Sequence, residues 1–247
     1  MATRDHTGSV ALVTGGSGGI GGGIARRLGA AGFATVVGYS KSASSAEAVV
    51  NEITAAGGVA TAVAADLTKA QDVHSLFQAA IDKYGRIDAV INNAGTIVPV
   101  AVADITEAFY EKVFDVNVRG ALFVLKEAAK RIHDGGRIIS TSSTLVGAPI
   151  AGSALYTGSK AALEAFSRVL ARELGGRGVT VNAIRVGPTV PGMFEKAPPE
   201  RQAAMAAASP FKRLGTPDDV ADVVAFLVSE KARWLTGQII TLDGGAT

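Results

Sequence analysis

Seven short apolar runs recur along the chain: VALVT (10–14), ATVVG (34–38), VATAVAA (59–65), RIDAVI (86–91), GRIIS (136–140), VTVNAI (179–184) and QIITL (238–242). Segments of helical length lie between them, at 19–31, 42–56, 69–84, 106–132, 154–175 and 217–229. A strand that is apolar without alternation must be covered on both faces, and strands separated by helices are joined by parallel crossovers. The pattern predicts an α/β fold, a doubly wound parallel sheet of seven strands. At 247 residues, with no repeat and no Ser/Pro-rich linker, the chain reads as a single domain.

Composition removes several classes of function. Lys and Arg number 24 against 22 Asp and Glu, a net charge of +2, so the strong bias of a nucleic-acid or membrane binder is missing. No cysteine is present, and His6, His74 and His133 are scattered without ligand spacing; disulfides, thiol catalysis and a metal site are not expected. The leading MATRDHTGSV has no signal-peptide core and no run reaches spanning length, so a cytoplasmic protein is expected.

The first strand runs into Thr14-Gly-Gly-Ser-Gly-Gly-Ile-Gly21 and then a helix. Glycines at such a junction permit a tight turn and close backbone approach to phosphate, which the helix N-terminus attracts through its free N–H groups and dipole. Gly15, Ser17, Gly18, Gly19, Ile20 and Gly21 are therefore candidate dinucleotide-binding residues. After the second strand come Tyr39, Ser40, Lys41 and Ser42, with no acid to hold a ribose 2′-hydroxyl. A lysine among hydroxyls suits a 2′-phosphate, so NADP(H) is expected over NAD(H), although the serines also suit a helix N-cap. Asp66 and Leu67, at the end of the third strand, are placed to contact an adenine or to cap the next helix. Asn93, Ala94 and Gly95, in NNAG after the fourth strand, put an amide and small residues beside the glycine turn.

Chemistry concentrates between Ser143 and Lys160. Tyr156 and Lys160 stand four apart, on one face of a helix. A neighbouring ammonium favours phenolate, so Lys160 is expected to lower the tyrosine pKa. Ser143 falls at the carboxyl end of a strand, where open α/β sheets bind ligands. Asn117, in FDVNVRG, interrupts an apolar helical face and must find partners, hold a water or bend the helix.

Taken in order, TGGSGGIG (14–21), NNAG (92–95), Asn117, Ser143, YTGSK (156–160) and LDGG (242–245) resemble the short-chain dehydrogenase/reductase family along the whole chain. The resemblance implies a Rossmann-type domain and an NADP(H)-dependent oxidoreductase acting on a small-molecule carbonyl or alcohol. It implies Tyr156 as general acid/base, Ser143 orienting the carbonyl, Lys160 binding the nicotinamide ribose, and Asn117 holding a water on the proton path. Gly187 and Thr189 would lie near the nicotinamide, although the Pro-Gly common there reads Val186-Gly187. Leu145, Val146, Met193 and Phe194 would line the substrate pocket, and 191–210 would form a mobile lid. A homotetramer is implied, pairing the helical segments 106–132 and 154–175.

The sequence is most similar to 3-oxoacyl-carrier-protein reductases and related carbonyl reductases. In the former a basic pair grips the acidic carrier; Arg177 matches one position, while Asp134 stands at the other, with Lys130 and Arg131 nearby. A carrier-bound acyl substrate is thus an alternative to a free ketone. From another class, a catalytically silent nucleotide-binding regulator would share the fold but has no need of the Tyr/Lys pair.

Overall fold

The computed structural model describes residues 6–247. Its strands are β1 (Val10–Thr14), β2 (Ala34–Tyr39), β3 (Val59–Ala64), β4 (Ala89–Asn92), β5 (Arg137–Ser143), β6 (Thr180–Val186) and β7 (Ile239–Leu242). They form one parallel sheet in the order β3-β2-β1-β4-β5-β6-β7. The expected doubly wound α/β architecture is therefore present. Order reverses between β1 and β4, opening a crevice at the carboxyl ends of those two strands.

The pleat divides the core. Along β1, Val10 and Leu12 face one apolar cluster while Ala11 and Val13 face the other. The first cluster is closed by α3 (Ala70–Tyr84), α5 (Ala121–Arg131) and α6 (Ala154–Leu174), through residues such as Phe77, Val124 and Leu163. The second is closed by α1 (Gly19–Ala30), α2 (Ala43–Ala55) and α8 (Pro217–Val228), through Ile24, Leu28, Ile53 and Val224. Burial on both faces explains why the central strands read as unbroken apolar runs.

The segment expected as one helix over 106–132 is three pieces. It comprises α4 (Glu107–Phe114), a π-helical turn over Asp115–Gly120, and α5. Asn117 sits in that wide turn and is 1% exposed. A π turn inserts an extra residue and re-aims side chains, frequently at functional sites. Bending the helix was one of the outcomes open to Asn117. α7 (Pro199–Ala208) completes the inventory and contributes no buried residue. Among the described residues, no helix is long and apolar enough to cross a membrane.

Candidate active site

Three segments meet at the crevice. The glycine turn after β1 is held to NNAG through Thr14, whose Oγ1 accepts the backbone N–H of Asn93 at 3.0 Å and of Ala94 at 3.1 Å. Asn93 returns its side-chain amide to the Thr14 carbonyl at 3.1 Å. Gly21 makes the fit possible: a β-carbon there would collide with the Gly15 carbonyl and stand 2.6 Å from the Asn93 amide. At Gly18 nothing lies within 4 Å of where a side chain would begin. The turn is thus open at Gly18, while at Gly19, the first residue of α1, a β-carbon would meet the backbone of Pro191 and Gly192 at 3.4–3.5 Å; an open corner at a helix N-terminus suits an anion.

The second segment is the polar end of β5 and the first turns of α6. Tyr156 and Lys160 share one face of α6, with the Lys160 ammonium 5.7 Å from the phenol ring centre. Ser143 is buried and its hydroxyl hydrogen-bonds the Tyr156 phenol. Lys160 is 2% exposed and donates to the Thr141 carbonyl at 2.7 Å. Burial disfavours the ammonium and lowers the Lys160 pKa to about 8. Burial also raises the Tyr156 phenol above its ordinary value, with the Ser143 hydrogen bond opposing it. This corrects the expectation that Lys160 pulls Tyr156 down. Desolvation dominates both groups in the protein itself.

Asn117 joins them from the π turn. Its amide donates to the Thr96 carbonyl at 2.8 Å and to Ser159 Oγ at 3.0 Å, while Oδ1 accepts the Thr96 N–H at 2.8 Å. Only one oxygen lone pair remains for anything else. A β-carbon at Gly95 would stand 3.3 Å from both Asn117 Oδ1 and Lys160 Nζ, so the small residue keeps a gap between them.

A family model described as enoyl-(acyl carrier protein) reductase matches residues 15–247. The chain is 44% identical over 241 residues to an uncharacterised oxidoreductase of Methylorubrum extorquens, covering 96% of this chain and 97% of that one. The chain belongs to the short-chain dehydrogenase/reductase family. A short chain dehydrogenase from Burkholderia cenocepacia in complex with NADP superposes with a TM-score of 0.92 at 39% identity, covering 97% of this chain and 98% of that chain. The angucycline C-6 ketoreductase LanV with bound NADP has a TM-score of 0.92 at 37% identity, covering 97% and 96%.

The other expected positions of this short-chain dehydrogenase/reductase fall as follows. Lys41 is exposed at the carboxyl end of β2, and Ser42 occupies the N-cap of α2 without making a side-chain cap bond. The capping alternative for that serine is therefore not realised. Asp66 accepts from Thr68 Oγ1 at 2.8 Å and Thr68 N at 3.1 Å, bonds that hold its carboxyl below the ordinary value, with Lys69 and Lys41 adding to the effect. It does not cap α3, whose N-cap is Lys69. Leu67 is buried in the core under α5.

Gly187 has a packing role that sequence did not show: a β-carbon there would come within 2.7 Å of Asp243, in the LDGG turn. Thr189 is buried and donates to the Gly187 carbonyl at 3.0 Å. Leu145 and Val146 are half-buried in a short 3-10 turn beyond Ser143, while Met193 is 52% exposed. Phe194 is half-buried beneath the Arg201 guanidinium, which lies 5.9 Å from its ring centre.

Arg177 donates to Asp134 at 2.7 Å and to the carbonyls of Ala129 and Ile132. Three of its five N–H donors are thus engaged within the protein. Sequence reading missed Thr14, Thr96 and Ser159, all ordinary small hydroxyl residues whose role appears only when distant segments meet. It also missed Ser142, Glu164 and Arg185, where one signal was available: Glu164 is charged on the same helical face as Tyr156 and Lys160.

Proposed function

We propose that this protein is an NADP(H)-dependent carbonyl reductase or alcohol dehydrogenase, and the observation that carries the reading is the cluster of buried Ser143 and Lys160 with half-buried Tyr156 between them, beside the open glycine turn. The residues present fit the dinucleotide. The pyrophosphate would rest on the turn from Gly15 to Gly21, with Ser17 and Ile20 flanking it, and the 2′-phosphate would meet Ser40, Lys41 and Ser42 beside Tyr39. Asp66, Leu67, Asn93, Ala94, Gly95 and Thr189 would complete the site. NADP bound to both structural relatives supports the same choice.

When bound, the dinucleotide supplies or accepts the hydride. During reduction, negative charge grows on the carbonyl oxygen, and preorganised donors aimed at that oxygen lower the barrier. Ser143 donates a hydrogen bond to it. Tyr156 transfers a proton to it, acting as general acid. Its raised pKa keeps the phenol protonated at neutral pH, the form that reduction requires. Lys160, at about 8, titrates close enough to neutrality to restore that proton. Asn117 fixes the floor of this path by holding the Thr96 backbone in place.

The segment 191–210 acts as the substrate lid, with the stretch from Pro191 to Ala208 as its arch. Its near end is pinned where Val190 N–H meets the Gly215 carbonyl at 3.0 Å, and its far end where Ser209 donates to the Gly244 carbonyl at 2.9 Å. Between these anchors no residue is buried. Leu145, Val146, Met193 and Phe194 would shape the pocket for a small apolar ketone. The engagement of Arg177 with Asp134 supports a free ketone over a carrier-bound one. Exposed Leu122 on α5 and Val169 on α6 support the homotetramer, which light scattering would test.

Purified protein given NADPH and a broad ketone panel should consume NADPH; no turnover on any member would overturn the enzymatic reading. Lys41→Asp should lower the NADPH-to-NADH preference by roughly ten- to a hundredfold, the worth of a charge-assisted hydrogen bond. An unchanged ratio would remove Lys41 from the phosphate site.

A further inference from the structure

The last four residues of β5 each meet α6 through a polar contact. The Ser140 and Ser167 hydroxyls lie 2.9 Å apart, Thr141 accepts from Lys160 at 2.7 Å, Ser142 donates to Glu164 at 2.7 Å, and Ser143 meets Tyr156. On the helix side these are positions 156, 160, 164 and 167, a stripe along one face that would ordinarily be aliphatic. Leu163, Leu170 and Leu174 of the same helix are buried in the core.

Glu164 is the charged member of this stripe with a dedicated partner. It is 4% exposed and takes three bonds: Ser142 Oγ at 2.7 Å, Arg185 Nε at 2.7 Å and Arg185 Nη2 at 2.8 Å. Arg185 lies on β6 directly opposite Ser142 in the sheet register. One ion pair therefore ties β5, β6 and α6 together, one residue from Ser143 and two helical turns from Tyr156.

We propose that Arg185 and Glu164 are positioning residues for the reaction, a two-point clamp that sets the axial register of α6 on β5 and so the placement of Tyr156 relative to Ser143. The proposal rests on the oxidoreductase reading above. The hydrophobic effect is non-directional and by itself prescribes no bond angle between helix and sheet. A guanidinium–carboxylate fork fixes both distance and angle. Arg185 keeps 27% of its side chain exposed, and a partly solvated ion pair adds little to stability over an apolar pair of similar size, so its effect is sought in geometry. A misplacement near 1 Å costs a reaction about a hundredfold in rate.

The experiment compares wild type, Ser142→Ala, Glu164→Gln and the double variant Glu164→Met/Arg185→Met. Its readouts are thermal midpoint, NADPH affinity, kcat and KM on the ketone that wild type reduces best, and titration of the Tyr156 phenol by ultraviolet difference against Tyr156→Phe. Glu164→Gln turns an amide donor toward Arg185 and should lose both stability and kcat. The double variant removes both charges, so its midpoint should return close to wild type while kcat stays down by about tenfold or more, with NADPH affinity within about twofold. Ser142→Ala should lower kcat by several-fold with the midpoint and KM near wild type. In the clamp-deficient variants the Tyr156 titration should move down toward that of an ordinary phenol, because a loosened α6 admits water. Recovery of kcat together with the midpoint in the double variant would overturn the proposal, as would an unmoved phenol titration. If wild type reduces no ketone, the oxidoreductase reading fails by itself, and the phenol titration still decides whether the clamp sets the environment of Tyr156.

Discussion

The two halves of the proposed site are built to opposite rules. Where α6 meets β5, Ser143, Lys160, Glu164 and Ser167 are all at most 7% exposed, and directional polar contacts cross the seam above the apolar packing of Leu163. Across the crevice, the arch from Pro191 to Ala208 buries no residue, and α7 rests on its anchors at Gly215 and Gly244. Proton transfer, the task proposed for this seam, tolerates little positional error, and directional contacts in a packed interior suit it. Admission of substrate requires a surface that opens, and such surfaces come from the least buried parts of a fold. Placing both at the carboxyl edge of one sheet lets a fixed chemistry be paired with a variable pocket.

That contrast can be broken at four points. The largest effect is expected at Tyr156→Phe, which keeps the ring and removes only the transferable proton. Turnover should fall by about 10²- to 10⁴-fold while NADPH affinity is retained, and steady-state kinetics with a binding titration measure both. Full activity in this variant would reject the assigned proton donor.

Leu163→Ala comes next. Leu163 is 1% exposed beneath the seam, and truncation should cost roughly 2–5 kcal/mol in urea unfolding. A loss below about 1 kcal/mol would mean that the seam is softer than its burial implies.

A third point is pH. Lys160 falls to about 8 in the folded protein from an ordinary 10.5, so between those values the unfolded chain binds the extra proton and stability rises with pH. Relative to Lys160→Met, the wild type should gain on the order of 2 kcal/mol between about pH 7.5 and 10. Tyr156, shifted the other way, contributes stability that is lost only above its ordinary value of 10.0. A flat difference across the window would place Lys160 in contact with water.

The smallest effect belongs to the arch. Met205, 37% exposed on α7, should tolerate Ala within about 0.5 kcal/mol, while KM for bulky ketones changes more than kcat. A large stability loss there would show that the arch is packed after all, and the contrast would disappear.

Much of this protein was legible in its sequence because the signals lie within single elements. Unbroken apolar runs separated by helical segments determined the parallel sheet, and glycines between a strand and a helix marked the turn that stands open at Gly18. Four-residue spacing put Tyr156 and Lys160 on one face. Tertiary structure decided what depends on residues brought together from far apart. It broke the 106–132 helix at Asn117, whose amide answers Thr96 and Ser159. It assigned Gly187 to packing against Asp243 and closed Arg177 onto Asp134. It reversed the expected direction of the tyrosine shift, because desolvation outweighs the hydrogen bond from Ser143. It also paired Glu164 with Arg185 across 21 positions of sequence. Periodicity is a local property of the chain; desolvation and pairing are properties of the packed interior, and no spacing rule encodes them.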